Sequence, residues 1–107
     1  MTRRALPNRR PAETFEFTVA GLRYTCTVGR FPDGSVAELF ISNHKSNSAA
    51  DTNARDLAIV FSIAVQCGAD PEVIRRALSR NSPGHASGPL GAALDLIVAE
   101  RGTGSRP

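Results

Sequence analysis

"SVAELFISNHKSNSAADTNARDLAIVFSIAVQC", Ser35–Cys67, changes its period halfway along. Its first part, Ser35–Ile41, is apolar on both faces apart from Glu38 and reads as a well-covered strand. Its last part, from about Ala49 to Cys67, reads as a helix. There Asp51, Arg55, Ser62 and Gln66 fall four, seven and four residues apart and form one narrow polar stripe. Leu57, Ala58, Ile59, Val60, Phe61, Ile63, Ala64 and Val65 fill the rest, so the helix is expected to be buried around most of its circumference. Gly68 suits a left-handed C-cap. Between strand and helix lie seven consecutive polar residues, Ser42–Ser48, which include the only lysine, Lys45.

Upstream, two more strands are legible. In "TFEFTVA", Phe15, Phe17 and Val19 alternate with Glu16 and Thr18. In "LRYTCTVG", Leu22, Tyr24, Cys26 and Val28 alternate with Arg23, Thr25 and Thr27, and that alternation leaves one burial solution. Ala20-Gly21 is a hairpin turn in which Gly21 supplies a positive φ. "FPDG", Phe31–Gly34, is a second turn. Downstream, Asp70 caps a helix that opens at Pro71, with Val73, Ile74, Ala77 and Leu78 on its apolar face and a Glu72–Arg76 pair. A Pro- and Gly-rich loop leads to a last helix from Pro89 that ends at Gly102. The order is β-β-β-α-α-α. That predicts an α+β fold: a small antiparallel three-stranded sheet followed by three helices packed on one face. The first helix is apolar enough to exceed what one copy can cover, so a homodimer is expected.

The 107 residues suit one domain, and 41% apolar residues suffice for a core. We assign residues 13–101 to it, with a disordered basic arm at 1–12 and a frayed tail at 102–107. The formal charge of +3 resides in the arm, where Arg3, Arg4, Arg9 and Arg10 carry four positive charges without an acid. These arginines could touch nucleic acid or an acidic partner. With no aromatic beside them for base stacking, the case is slight. No apolar run is long enough for a membrane span and no secretory signal is read, so a cytoplasmic protein is expected. Cys26 and Cys67 lie far apart, match no metal spacing and read as core thiols. His44 and His85 are the only histidines. No catalytic residue, metal ligand or cofactor is expected, and the balance favours a non-enzyme.

The polar loop is the best site candidate. Ser48 and Asp51 form S-x-x-D, a capping box in which Ser48 caps the helix and Asp51 answers back. Asp51 and Arg55 pair at i,i+4. Folding needs do not explain Asn43, His44, Lys45 and Ser46. Together with Ser48 and the free N–H groups of the helix, they could hold a phosphate, a nucleotide or a partner's carboxylate. Asp51 would compete with such an anion.

The pattern "LRYTCTVGRFPDGSVAELFISNHKSNSAADTNARDLAIVFSIAVQCGADPEVIRRAL" resembles the TSCPD domain. That domain occurs at the C-terminal end of adenosylcobalamin-dependent (class II) ribonucleotide reductases and as small free-standing proteins. The resemblance lies in the Asp33-Gly34 turn, the Lys45-Ser46-x-Ser48 loop opening an alanine-rich helix, Gly68, and Asp70-Pro71-x-x-Ile74 behind it. "SGPLGAALDLI", Ser87–Ile97, stands where the family's name motif leads into its last helix. Here Gly88 precedes Pro89 where a cysteine is usual, Leu90 stands where an acid is usual, and no cysteine lies near Ala20. The resemblance implies the fold, a link to deoxynucleotide metabolism and a ribonucleotide reductase as partner. It does not imply the reductase reaction, which needs a radical-generating barrel. The expectation is therefore a non-catalytic accessory module, with nucleic-acid and anion-binding proteins as the alternatives.

Overall fold

Period-2 alternation sends Tyr24, Cys26 and Val28 to one face of the second strand, and its neighbours follow. In a computed structural model that describes residues 2–6 and 12–104, with side chains to residue 100, Phe17 pairs with Tyr24 and Phe15 with Cys26. The strands are Ala12–Val19 (β1), Leu22–Arg30 (β2) and Val36–Asn43 (β3), joined antiparallel in the order β1-β2-β3. Helices Ala49–Gln66 (α1), Pro71–Ala77 (α2) and Pro89–Gly104 (α3) follow, giving the α+β order read from the sequence. β1 begins at Ala12, one residue ahead of the expected boundary, and α3 continues past Gly102. Glycine weakens a helix without forbidding its dihedrals.

Leu39, Ile41, Val28 and Cys26 are the largest fully buried side chains. Ala54, Ala58, Phe61 and Val65 of α1 and Leu90, Ala93, Leu94 and Ile97 of α3 complete the core. Ala54 and Ala58 are the alanines at which close approach occurs, at 0% and 1% exposure. The two-residue loop of the β1–β2 hairpin holds both Ala20 and Gly21 at positive φ, 52° and 76°. This is the handedness a tight hairpin needs. Gly68, at φ 106°, follows the C-cap of α1 as expected.

The orientation of α1 differs from the expectation. Three members of the polar stripe are buried, Asp51, Ser62 and Gln66 at 3%, 8% and 4% exposure, while Arg55 stays exposed. Leu57, Ile59, Val60 and Ile63 are instead 43%, 52%, 65% and 41% exposed. The cause is β3, which is well covered as expected but lies at a sheet edge. An edge strand has backbone groups pointing away from its partner, and when buried they must find other donors and acceptors. The stripe supplies them. Leu39 donates its N–H to Ser62 Oγ at 2.9 Å, and the Ser62 hydroxyl lies 3.2 Å from Leu39 O and 2.7 Å from Ala58 O. Gln66 Nε2 donates to Ala37 O at 3.0 Å, and Asn43 N–H to Asp51 Oδ1 at 2.9 Å. The helix thus turns its polar side inward to satisfy the strand edge, which leaves part of its apolar side outward. Phe40, on the opposite sheet face, is 56% exposed.

Thr2–Leu6, part of the arm expected to be disordered, lies against the C-terminal end of α1. Arg4 N–H donates to Gln66 O, and Arg3 Nε to Gln66 Oε1. The Arg4 guanidinium sits 3.7 Å from the Phe31 ring centroid and 3.6 Å from Asp33. α1 has no basic residue in its own last turn, so these cations complement its negative dipole end. Leu6 packs against the core. Arg9 and Arg10 lie outside the described residues.

Candidate functional site

The strand-to-helix connection is short because one carboxylate organises both of its ends. Ser48 caps α1 as expected, its Oγ accepting from Asp51 N–H at 3.1 Å and its hydroxyl donating to Lys45 O at 2.6 Å. Asp51 does not answer back to Ser48. Its Oδ1 accepts from Asn43 N–H and its Oδ2 from Asn47 N–H, at 2.9 and 3.2 Å. Arg55 Nε closes the cluster on Oδ2 at 3.0 Å. Asn47 adopts a φ of 63°, which aims its N–H back at that oxygen and which asparagine tolerates well. The Asn43 N–H bond, followed by the Arg55 guanidinium and the Asn47 N–H, holds the Asp51 carboxyl below the usual carboxylate range.

Asn43 is buried at 6% exposure and is the second organiser. Its Oδ1 accepts from Lys45 N–H at 2.9 Å, and its Nδ2 donates to Arg23 O at 3.0 Å. The N–H groups of Asn43, Asn47 and Asp51, which an external anion would need, are therefore all engaged within the loop. The sequence brings Asn43, His44, Lys45, Ser46 and Ser48 together, but Asp51 stands where the anion was expected. Asn43 and Ser48 serve the loop's own architecture.

His44 leaves the helix terminus and joins the outer sheet face, where its Nε2 lies 3.0 Å from Thr25 Oγ1. Lys45 and Ser46 are exposed. Beside His44, the same face carries a cavity of about 340 Å³ lined by Thr25, Thr27, Phe40, Ser42, Arg55 and Ile59, among others. Cys26 is fully buried, and burial pushes its thiol up to about 12, so it is an inert core residue. Cys67 is a half-buried free thiol. Among the described residues, no group of three His, Cys, Asp or Glu could hold a metal ion. None of the described helices is long and apolar enough to cross a membrane.

One ion cluster was not legible beforehand. Arg75 donates to Glu72 and to Asp95, at 2.6 and 2.9 Å, while Arg80 also reaches Asp95 at 2.7 Å. The expected Glu72–Arg76 pair forms as well, at 2.9 Å. Arg75 first, then Arg76, brings Glu72 down to about 2. Arg80 first, then Arg75, does the same for Asp95, also to about 2. The cluster ties α2 to α3 across the 79–88 loop. His85 lies on that loop and donates its backbone N–H to Asn81 Oδ1 at 2.9 Å.

Sequence comparison places these features in a wider setting. Over 66 residues, 62% of this chain, it is 38% identical to the vitamin B12-dependent ribonucleotide reductase of Agrobacterium fabrum. Over 72 residues, 67% of the chain, it is 36% identical to the vitamin B12-dependent ribonucleotide reductase of Rhodopirellula baltica. The reductase of Bradyrhizobium diazoefficiens that bears the same name is 32% identical over 66 residues. The chain spans only 5%, 7% and 5% of the lengths of these relatives. No family model matches, and no solved structure matches. The chain is thus related to a short region of vitamin B12-dependent ribonucleotide reductases.

Proposed function

We propose that this chain is a non-catalytic, TSCPD-like accessory module that acts beside a vitamin B12-dependent ribonucleotide reductase in deoxyribonucleotide metabolism. One observation carries this reading: the chain matches a short part of vitamin B12-dependent ribonucleotide reductases from three organisms. The chemistry of the fold agrees. Its only fully buried thiol is inert, and Gly88-Pro89 offers no cysteine for metal binding or electron exchange.

Lys45, with His44 beside it, is the contact we assign to that partner. The backbone around both residues is fixed by Asn43 and Asp51, so binding there needs little ordering of the main chain. The test is calorimetric titration of the chain into a vitamin B12-dependent reductase from the same source. Binding is expected, with about tenfold weaker affinity for a His44→Ala, Lys45→Ala double variant whose unfolding midpoint is unchanged. Absence of any binding heat and of co-sedimentation with that reductase removes the reading.

A further inference from the structure

The β3 edge of the sheet is closed by side chains of α1, whereas the β1 edge is open. The β1–β2 loop has two residues, Ala20 and Gly21, both at positive φ, which makes Val19 and Leu22 a mutually hydrogen-bonded pair. Bonded pairs then recur at every second residue, Phe17 with Tyr24 and Phe15 with Cys26, and Thr18 faces Arg23 without bonding. The Arg23 carbonyl agrees with this register: it points away from β1 and accepts from His44 N–H and Asn43 Nδ2, at 3.1 and 3.0 Å. The N–H and C=O groups of Thr14, Glu16 and Thr18 therefore point out of the sheet, about 7 Å apart. All three residues are exposed. Glu16 does not guard this edge with a free charge, because Arg23 holds its carboxylate at 2.6 Å.

Beside Thr18 the edge opens into a cavity of about 400 Å³. Phe17 and Val19 of β1 and Ala92 and Leu96 of α3 give it apolar walls, and Asn81 and His85 of the 79–88 loop give it a polar one. The loop is held in place: Arg80 ties it to Asp95 and to Gly84 O, and Asn81 Oδ1 accepts from His85 N–H. Among the described residues, neither Asn81 Nδ2 nor the His85 ring has a hydrogen-bond partner. We propose that this edge binds an extended peptide as a fourth strand, with a tyrosine of that peptide in the cavity. Two complementarities select this occupant. The outward groups of Thr14, Glu16 and Thr18 match the two-residue repeat of another strand. In an added strand, the residue opposite Phe17 points to the same sheet face as Phe17, which is the cavity side. There an apolar ring with a polar tip suits two apolar walls and a wall bearing an amide and an imidazole. The site lies at the opposite edge of the sheet from the β3 loop assigned to the reductase.

The test is a titration of the full chain with the capped peptide Lys-Thr-Val-Tyr-Val-Thr-Lys, read by nuclear magnetic resonance. Saturable binding below about 1 mM is expected. Amide exchange at Thr14, Glu16 and Thr18 should slow. Replacing the peptide's tyrosine by serine should weaken binding about tenfold, and N-methylating alternate peptide bonds along its pairing edge should abolish it. Thr18→Pro removes one outward N–H at a position where an edge strand tolerates proline, and should also abolish binding with far-ultraviolet dichroism retained. The methylated peptide makes the same test without altering the protein. Asn81→Asp keeps the acceptor for His85 N–H but loses the amide donor. It should weaken the tyrosine peptide several-fold and leave a phenylalanine version unchanged. No binding at about 1 mM, equal binding of the methylated peptide, equal binding of the serine peptide, or an Asn81→Asp variant that treats the tyrosine and phenylalanine peptides alike overturns the proposal. So does a chain that sediments as a dimer and becomes monomeric on Thr18→Pro, which would give the edge to a second copy.

Discussion

The N–H of Asn43, the last residue of β3, donates to Oδ1 of Asp51 in the first turn of α1 at 2.9 Å. A strand end and a helix start are thereby bound by one side chain, which also receives Asn47 N–H and Arg55. An internal carboxylate occupies the place where an external anion was expected.

The first prediction follows from that occupancy. Inorganic phosphate at about 10 mM, roughly neutral in its effect on folds without an anion site, should leave the thermal midpoint unchanged. A clear upward shift that disappears in Lys45→Ala would restore the loop as an anion receptor.

Ser62→Ala should destabilise the protein by about 1–3 kcal/mol, because the buried N–H of Leu39 would lose its acceptor. Urea denaturation measures this. A loss well below that range would mean that water replaces the hydroxyl at the β3 edge.

Ala20 holds a left-handed conformation that alanine disfavours, at φ 52°. Ala20→Asn creates the Asn-Gly pair preferred in two-residue hairpins and should raise stability by about 0.5–1 kcal/mol. The same urea series reads the gain, and a neutral or negative outcome would argue against this turn geometry.

The α2–α3 ion cluster sets a pH dependence. Glu72 and Asp95 fall to about 2 in the folded chain, from ordinary values of 4.5 and 3.8. The folded state binds protons less readily than the unfolded one, so both groups stabilise it above their ordinary values. That stabilisation is lost as pH falls from about 4.5 to about 2. An Asp95→Asn variant should show a shallower loss of thermal midpoint across that window, and an unchanged slope would show that the contacts with Arg75 and Arg80 have no net effect.

Much of the fold was readable because its signals are local. Alternation in Leu22–Gly29, the caps at Ser48 and Asp70, and Gly68 each depend on neighbours in sequence. The side of α1 that faces inward was not readable. Polarity alone sends Asp51, Ser62 and Gln66 toward water, yet their partners are backbone groups of β3, which carry no sequence signature. The same blindness hid Asp95, whose arginines lie fifteen and twenty residues upstream. In the candidate site, the run of polar residues marked the loop from Asn43 to Ser48. It could not show that Asn43 and Asp51 would take up the loop's donors, because a side chain's choice between ligand and backbone depends on distances that only the folded chain sets.

The three side-chain bridges from α1 to β3 also bear on how the molecule opens. Lifting the helix would strand the Ala37, Leu39 and Asn43 backbone groups at once, so α1 and β3 should breathe as one unit or not at all. Nothing comparable among the described residues ties down the far edge of β1. Hydrogen exchange should therefore run as a gradient across the sheet, fastest along β1 and slowest where helix and strand are stitched together.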